Sequence, residues 1–566
     1  MTTDALSRIL SDDAAASGRV RGRDAQSANI SVGRALADLV GTTLGPRGLD
    51  KMLVGSDGKV IVTNDGASIL DRLDIDHPIA QVLVDIASQQ ERRAGDGTTT
   101  AVVLAGELLA AAEELLERGL HPTTIMEGYH RAGQRAVETL DRDAVVIDGD
   151  DPERLRDAAS TVITGKWDAE ATAFLSQCVV ETVQAIRGDR TVDFEKITRK
   201  TAPGGSVFDT QVVDGLLIDM AESSTDVVSP DPGPPRRIEG ATVALVDDQL
   251  TVETATGQGA VSVDSPAQLE QFRAYEDDVY ASQIERIADA GADVVFCQKS
   301  IDDRVRYLLA KEGILAVERT RQDELYKLGR ATGAQYVATV DDLTPADTGR
   351  AGVVEQRAFG ANQFTVVKDA DGFDQVSLLL RGGTEHVVDE VKRLVDDCFH
   401  VLKLVIEAGR VVPGGGATEA HVARELRDYA TAVPRREQLA IEAFADGLDA
   451  IPRTLAETAG FDPVDSLIEL RARHHRGEQR AGLVLETGGV ADMVARGVVE
   501  PVAVKRQALD SAAEAANLVL RVDDVLASSV DRDGHTEDDH AHGPGELVES
   551  TDGYPWAVGH SMGHDH

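Results

Sequence analysis

The segment Asp96-Gly97-Thr98-Thr99-Thr100 has the residue types of a phosphate site at the start of a helix. A glycine lets the backbone approach a phosphate, and the first N–H groups of a helix are unpaired and carry the positive end of its dipole. The threonine hydroxyls add donors. Asp96 would repel a phosphate unless a cation lay between them, which suggests Mg²⁺. The alternative is an ordinary helix cap, because Asp and Thr are common caps.

Two familiar nucleotide-binding loops are missing from the sequence. The pair Gly165-Lys166 lacks the upstream glycine and the following Ser or Thr of a Walker loop. No GxGxxG motif follows a run of strand-like residues. Any nucleotide site in this chain must therefore be of another type.

Apolar periodicity and turn residues predict the elements that would position these residues. They are a helix over 24–43 ended by Gly45 and Pro46, a hairpin of 52–54 with 60–62, a helix from 78 to 95, a long helix over 384–408, a glycine loop at 414–416 and further helices to about 527. The motifs therefore lie at the ends of helices and in the loops between them.

Strand-like runs alternate with helical stretches between 221 and 370, which predicts an α/β domain. The runs 241–246 and 294–296 are examples, with a helix over 266–290 between them. The chain has 566 residues, too many for a single core. We therefore predict a multidomain protein with α+β and α/β parts.

The net charge of −41 excludes general binding to nucleic acid, because phosphates would be repelled and no long basic run offsets that charge. Only 12 of the 57 basic residues are lysine. Many carboxylates and few lysines fit a halophile, since the Debye length falls to about 3 Å at 1 M salt and self-repulsion is screened. The alternative is an ordinary acidic mesophilic protein.

The three cysteines, Cys178, Cys297 and Cys398, show no CxxC spacing, which argues against a zinc site and a disulfide framework. The first ten residues lack the basic start and apolar run of a signal peptide. Charged residues interrupt the apolar stretches well before about 18 residues. We expect a cytoplasmic protein that does not bind membranes.

Six segments, in this order and spacing, resemble the group II chaperonins, the family of the archaeal thermosome and the eukaryotic cytosolic chaperonin. They are TTLGPRGLDKML (42–53), VTNDGASIL (62–70), AGDGTTT (94–100), GGTEH (382–386), VVPGGGATE (411–419) and VVEPVAVK (498–505). The resemblance extends from about 20 to 527, and we expect a haloarchaeal member.

The resemblance implies a chaperonin fold of three domains. They are a mostly helical equatorial domain (1–150 and 409–527), a small intermediate domain (151–220 and 371–408) and an α/β apical domain (221–370) with a lid protrusion at about 247–290. Residues 528–566 are expected to form a disordered, acidic, His-rich tail.

The resemblance also implies roles for individual residues. Asp96 is the expected Mg²⁺ ligand, Asp397 the expected catalytic residue that orients water and accepts its proton, and Asp65 its catalytic partner near that water. Gly165 and Lys166 resemble the loop that senses the γ-phosphate. The remaining expected nucleotide-binding residues are Thr43, Leu44, Gly45, Pro46, Gly97, Thr98, Thr99 and Thr100 around the phosphates, Gly415 in the glycine loop, and Glu500 and Lys505 near ribose and base.

Spacing alone allows plainer interpretations of both catalytic candidates. Asp397 could be a solvated helix residue paired with Arg393 one turn earlier, worth about 0.3–0.5 kcal/mol. Asp65 could be a turn residue only. His77 and His121, each before a proline, are expected to cap or pack.

The expected activity is ATP hydrolysis coupled to folding, with ATP and Mg²⁺ as cofactors and K⁺ as a candidate second cation. The expected partners are unfolded proteins and further subunits, of one or several types, in a double ring of about eight subunits per ring. Two rival functions are a subunit that holds unfolded protein without hydrolysing ATP, and a metabolic kinase or hydrolase. The intact set of carboxylates disfavours the first, and the motifs along the whole chain disfavour the second.

Two regions depart from the family pattern. The stretch from Ser223 to Arg237 is unusually rich in Pro, Ser and Asp. The C-terminal tail carries six histidines among acids: His535, His540, His542, His560, His564 and His566. It is expected either to be a solvated tail or to bind Ni²⁺, Cu²⁺ or Zn²⁺ weakly.

Overall fold

A computed structural model describes residues 20–525, apart from 55–59, 74, 76, 150, 187–191, 221–236, 252–265, 361, 371–374 and 523. The predicted His-rich tail, most of the Pro-rich stretch and part of the predicted lid lie outside the described residues. No helix among the described residues is long and apolar enough to cross a membrane.

The N-terminal part is mainly helical, as its apolar periodicity predicts. Its elements are β1 (Val20–Arg21), α1 (Arg23–Gly41), β2 (Lys51–Val54), β3 (Val60–Thr63), α2 (Gly66–Asp71), α3 (Pro78–Ala94), α4 (Thr98–Glu117), α5 (Pro122–Asp143) and β4 (Val145–Val146). The predicted hairpin is confirmed, because β2 and β3 pair antiparallel. Helix α1 ends two residues before its predicted end, and Thr42 follows it as the C-cap.

The middle of the chain alternates helices and strands. Its elements are α6 (Pro152–Ile163), α7 (Ala169–Ala185), β5 (Ile197–Pro203), β6 (Gln211–Asp214), β7 (Leu216–Asp219), β8 (Arg237–Val246), α8 (Pro266–Asp289), β9 (Val294–Cys297), α9 (Asp303–Lys311), β10 (Leu315–Val317), α10 (Gln322–Thr332), β11 (Tyr336–Val337), β12 (Gly349–Phe359) and β13 (Asn362–Ala370). Strands β8 to β11 pair parallel, whereas β12 and β13 form an antiparallel hairpin. The sheet is mixed because a short turn can join only antiparallel strands.

The last part returns to helices. Its elements are β14 (Val376–Gly382), α11 (Glu385–Ala408), β15 (Arg410–Pro413), α12 (Ala417–Ala430), α13 (Glu437–Leu448), α14 (Ala450–Thr458), α15 (Pro463–His475), β16 (Ala481–Val484), β17 (Gly489–Asp492), β18 (Val499–Pro501), α16 (Val502–Arg521) and β19 (Asp524–Val525). The predicted long helix is confirmed as α11. Strand β19 pairs with β1 and so brings the two ends of the described chain together.

Separate hydrophobic cores form from these elements. The largest combines α1 and α3–α5 with α12–α14 and α16, and Tyr129 meets Phe444 edge to face in it, with ring centroids 5.6 Å apart. A second core packs α6, α7 and α11 against the sheet β5-β14-β6. Two more cores cover the two faces of the seven-stranded sheet. This sheet includes β7, which precedes the domain boundary predicted at 221. The division into equatorial, intermediate and apical domains stays a prediction.

Candidate active site

A cavity of about 410 Å³ lies where the loops around α4, α6, α12 and α16 meet. Every predicted site residue except Asp397 lines it, together with neighbours such as Asn64, Gly416 and Arg496. The contributing loops are distant in sequence, so only the packing of the largest core and its neighbour brings them together. The cavity falls within the usual range for a small-ligand site, roughly 300–1,000 Å³.

The start of α4 forms one wall of the cavity. Its N-cap is Gly97, in the left-handed region at φ 80°, and no side chain caps the N–H groups that follow. The Gly97 N–H donates to Asp96 Oδ1 at 2.7 Å. The alternative of an ordinary side-chain cap is therefore wrong, and Thr98–Thr100 bring uncapped N–H groups to a site that they line.

A fully buried glutamine fixes this turn. Gln90 in α3 donates from Nε2 to the Asp96 carbonyl at 2.7 Å and to the Val504 carbonyl at 3.2 Å. A Cβ on Gly97 would lie 3.0 Å from Val504 and 3.1 Å from the Gln90 amide. The start of α4 is thus held against α16, and Asp96 with it.

The loop after α1 supplies a second wall. The N–H groups of Thr43 and Leu44 donate to Val40 and Gly41, and the Thr43 hydroxyl donates to Val40 as well. The N–H groups of these two residues and the Thr43 hydroxyl are therefore already bonded to carbonyls at the end of α1. Gly45 follows them at φ 81°, at the point where the loop turns along the cavity.

The loop after α6 touches the second wall at Gly165. Its φ is 91°, and a Cβ there would lie 2.2 Å from the Cα and carbonyl oxygen of Pro46. Only glycine permits this approach, since real Cβ atoms do not come that close to backbone. The next residue, Lys166, places its side chain at the cavity.

Asp65 lies at the N-cap of α2, next to the start of α4. Its Oδ2 accepts the N–H of Ser68 at 2.9 Å, so the predicted turn role is real. It also lines the cavity, and a Cβ on neighbouring Gly66 would lie 2.6 Å from the Thr99 hydroxyl oxygen. Asp65 therefore caps α2 and also lies beside the start of α4.

The cavity is also lined by a buried lysine that lies between two carboxylates. Lys505 Nζ lies 2.8 Å from Glu419 Oε1 and 2.7 Å from Glu500 Oε2. Burial raises the pKa of Glu500, and Glu419 adds to this while Lys505 opposes it. The two carboxylates raise the pKa of Lys505 above its usual value despite burial, so the lysine stays charged.

The glycine loop lies beside Glu500, since a Cβ on Gly414 would lie 3.1 Å from Glu500 Oε1. Gly415 has φ 62°, and a Cβ there would lie 3.0 Å from the Leu483 carbonyl and from Met493 Sδ. The Leu483 N–H donates to the Gly415 carbonyl at 2.9 Å. This bond and the close approach seat the loop on β16.

Asp397 does not line the cavity. It lies in α11 with 7% of its surface exposed, behind Lys166, whose Nζ is 3.9 Å from Asp397 Oδ2. Arg393 Nη1 donates to the same oxygen at 3.1 Å. The Arg393–Asp397 pair considered from the sequence is thus present, but its carboxylate is buried rather than solvated.

Burial raises the pKa of Asp397 to about 8. Lys166 and Arg393 lower this pKa, whereas Glu91 and Asp96 raise it. A buried carboxyl with two cations and two carboxylates around it is typical of a functional position.

Besides cavity-lining residues such as Asn64 and Arg496, three polar residues next to the site were not predicted from the sequence. They are Gln90, Glu91 and Glu419. Burial, with help from Asp65 and Asp96, raises the pKa of Glu91 to about 7. The available signal was helical spacing, because Glu91 precedes Gly95 by one turn of α3 and Glu419 follows Gly416 in the first turn of α12.

The residues present fit a magnesium ion held mainly by phosphate and water. No group of three or more His, Cys, Asp or Glu that could hold a metal occurs among the described residues. Mg²⁺ keeps several waters and commonly takes one or two carboxylates with substrate phosphates, and Asp96 lies beside the uncapped start of α4.

The predicted capping roles of His77 and His121 are confirmed, since both accept N–H groups at helix starts.

The chain is similar to archaeal proteins over nearly its whole length. Thermosome subunit alpha of Halobacterium salinarum is 46% identical over 531 residues, covering 94% of this chain and 93% of that protein. Thermosome subunit 1 of Haloferax volcanii is 45% identical over 541 residues, covering 95% of each. The thermosome subunit of Methanopyrus kandleri is 46% identical over 514 residues, covering 90% and 93%.

A sequence profile of the TCP-1/cpn60 chaperonin family matches residues 36–529. The match spans the helical core, the cavity and the mixed sheet, so the predicted fold class is confirmed. Similarity to thermosome subunits, two of them from haloarchaea, confirms the predicted resemblance to group II chaperonins. The chain belongs to the TCP-1/cpn60 chaperonin family and is a chaperonin subunit of the thermosome type.

Proposed function

We propose that this chaperonin subunit binds Mg-ATP in the cavity and hydrolyses it to drive the enclosure and folding of unfolded proteins. The observation that carries the proposal is the uncapped start of α4, which lines one cavity together with Asp96 and Lys166. N–H groups and a lysine attract phosphates, while a carboxylate attracts the cation that accompanies them. K⁺ is a candidate second cation.

Each part of the cavity suits one part of the nucleotide. Thr98–Thr100, Gly45 and Lys166 would hold phosphates, and Asp96 would hold Mg²⁺. Glu500 and the glycine loop would face ribose and base. Lys505 would act on Glu500 rather than on the nucleotide, because two carboxylates already hold its ammonium group.

Asp397 would orient the attacking water and accept its proton, with Asp65 beside that water. Its position behind Lys166 means that α11 must move toward the cavity before this can happen. We propose that the movement of an intermediate domain containing α11 couples closure of the chamber to hydrolysis. Subunits would form a double ring of about eight subunits per ring in the cytoplasm.

Hydrolysis by the purified assembly in molar KCl tests this function. Phosphate release is expected to need Mg²⁺, to stop with EDTA and to accompany suppressed aggregation of a chemically unfolded protein. The rival that only holds unfolded protein predicts suppression without phosphate release. The kinase or hydrolase rival predicts turnover by a monomer, unaffected by unfolded protein.

Gly165→Ala is expected to weaken nucleotide binding at least tenfold, which is about 1.4 kcal/mol. The added Cβ would collide with Pro46 at 2.2 Å, so the two cavity loops must separate. Titration with a fluorescent ATP analogue measures the effect. Gly119→Ala is the matched control, because Gly119 also has a positive φ, 82°, but meets nothing within 4 Å. Equal affinities for Gly165→Ala and the unmodified protein would contradict the proposed loop contact.

A further inference from the structure

Arg393 is held in a fixed orientation on the face of α11 that carries Asp397. Its guanidinium contacts Glu390 through two bonds, Nη2 to Oε1 at 2.8 Å and Nε to Oε2 at 3.1 Å. The remaining Nη1 donates to Asp397 Oδ2 at 3.1 Å. A bidentate pair of this kind gives directional as well as electrostatic restraint.

The two cations on Asp397 differ in their relation to the cavity. Lys166 lines the cavity, whereas Arg393 does not, although both approach Asp397 Oδ2. Under the proposed function Lys166 binds a phosphate. Its contact with Asp397, where Nζ and Oδ2 are already 3.9 Å apart, would then weaken. Arg393 would then be the cation that remains on this carboxylate.

The surroundings make that remaining cation important. From α11 itself Asp397 faces Arg393, from the loop after α6 it faces Lys166, and from α3 and the start of α4 it faces the carboxylates of Glu91 and Asp96. Burial and these carboxylates favour the protonated form, which could not accept a proton from water. A fixed positive charge on Oδ2 opposes them and leaves Oδ1 for water.

We infer that Arg393 is a positioning residue, which holds Asp397 by Oδ2 from outside the cavity and favours its carboxylate form while Lys166 binds the phosphate. The inference rests on the proposed ATP hydrolysis and adds to it a residue that acts through Asp397.

The test compares Arg393→Met with Arg393→Lys and Lys392→Met in the assembled protein. An opposite charge nearby lowers a carboxyl pKa by about 1–3 units, so Arg393→Met should move the acid limb of kcat up by about one pH unit or more. At a pH below this limb the shift corresponds to a loss in kcat of about tenfold or more, with KM for ATP changed less than about threefold. Arg393→Lys should fall between, because it keeps the charge but not the fork.

Lys392→Met removes the same charge from the adjacent, exposed position of α11 and should behave like the unmodified protein. An unmoved acid limb in Arg393→Met would overturn the inference, and so would a raised KM with unchanged kcat, which would make Arg393 a nucleotide ligand. If Arg393→Met fails to assemble, the limb of Arg393→Lys decides. An unmodified assembly without hydrolysis would instead refute the proposed function itself.

Discussion

Asp397→Ala is expected to lower kcat for ATP hydrolysis by about 10²–10⁴-fold while the nucleotide still binds. The reason is positional: Asp397 is a buried carboxylate 3.9 Å from Lys166, yet it does not line the cavity that would hold the nucleotide. Its removal should therefore affect the chemical step and leave affinity nearly unchanged. Phosphate release and binding of a fluorescent ATP analogue, measured on the same assembly in molar KCl, separate the two effects.

Asp396→Ala is the matched control for this variant. Asp396 is the adjacent carboxylate of α11, and its partner is Arg199, 2.6 Å away, rather than a residue of the cavity. Its loss should change kcat by no more than a few-fold, since pairs this exposed contribute roughly 0–1 kcal/mol. Equal hydrolysis by Asp397→Ala and the unmodified protein would refute the assignment of Asp397. A large loss in Asp396→Ala would show that the effect belongs to the helix, not to one carboxylate.

Lys505→Met is expected to lower the free energy of unfolding by roughly 3–5 kcal/mol. Lys505 is the cation between Glu419 and Glu500, and all three side chains are largely withdrawn from solvent. Without it, two carboxylates remain buried close together, and both desolvation and repulsion oppose the folded state. Urea unfolding in high KCl, followed by circular dichroism at fixed subunit concentration, measures the change.

Two further variants make this result specific. Lys403→Met removes a lysine from an exposed position of α11 and should change the unfolding free energy by less than about 0.5 kcal/mol. Combining Glu419→Gln with Lys505→Met should recover part of the loss, because one buried charge is removed with the lysine. A cost below about 1 kcal/mol for Lys505→Met would show that water or movement relieves the two carboxylates.

Much of the candidate site could be predicted from local sequence because its parts are short and each has a local cause. Glycines and threonines at the start of α4, a Gly-Pro turn after α1 and a glycine loop before α12 each dictate their own backbone conformation. The order of these motifs along the chain was enough to identify the family, which the comparisons confirm.

Other features depended on contacts between segments far apart in the chain. The sequence places Glu419 after a glycine loop and Lys505 in a later helix, but nothing local shows that they meet. Nothing local distinguishes Gln90 and Glu91 from other polar residues of a helix, and their burial follows from the packing of α3 beside α11 and α16. Likewise, i and i+4 spacing indicated the Arg393–Asp397 pair, but only packing showed that Asp397 is buried.

The sequence by itself therefore determined the fold class, the family and the backbone conformation of the loops around the cavity. Tertiary structure alone decided which charged groups are buried next to one another. It placed Asp397 3.9 Å from Lys166 with a raised pKa, and it placed Lys505 against Glu500. The physical reason is that backbone conformation follows from neighbouring residues, whereas desolvation and Coulomb interactions depend on distances across the folded chain.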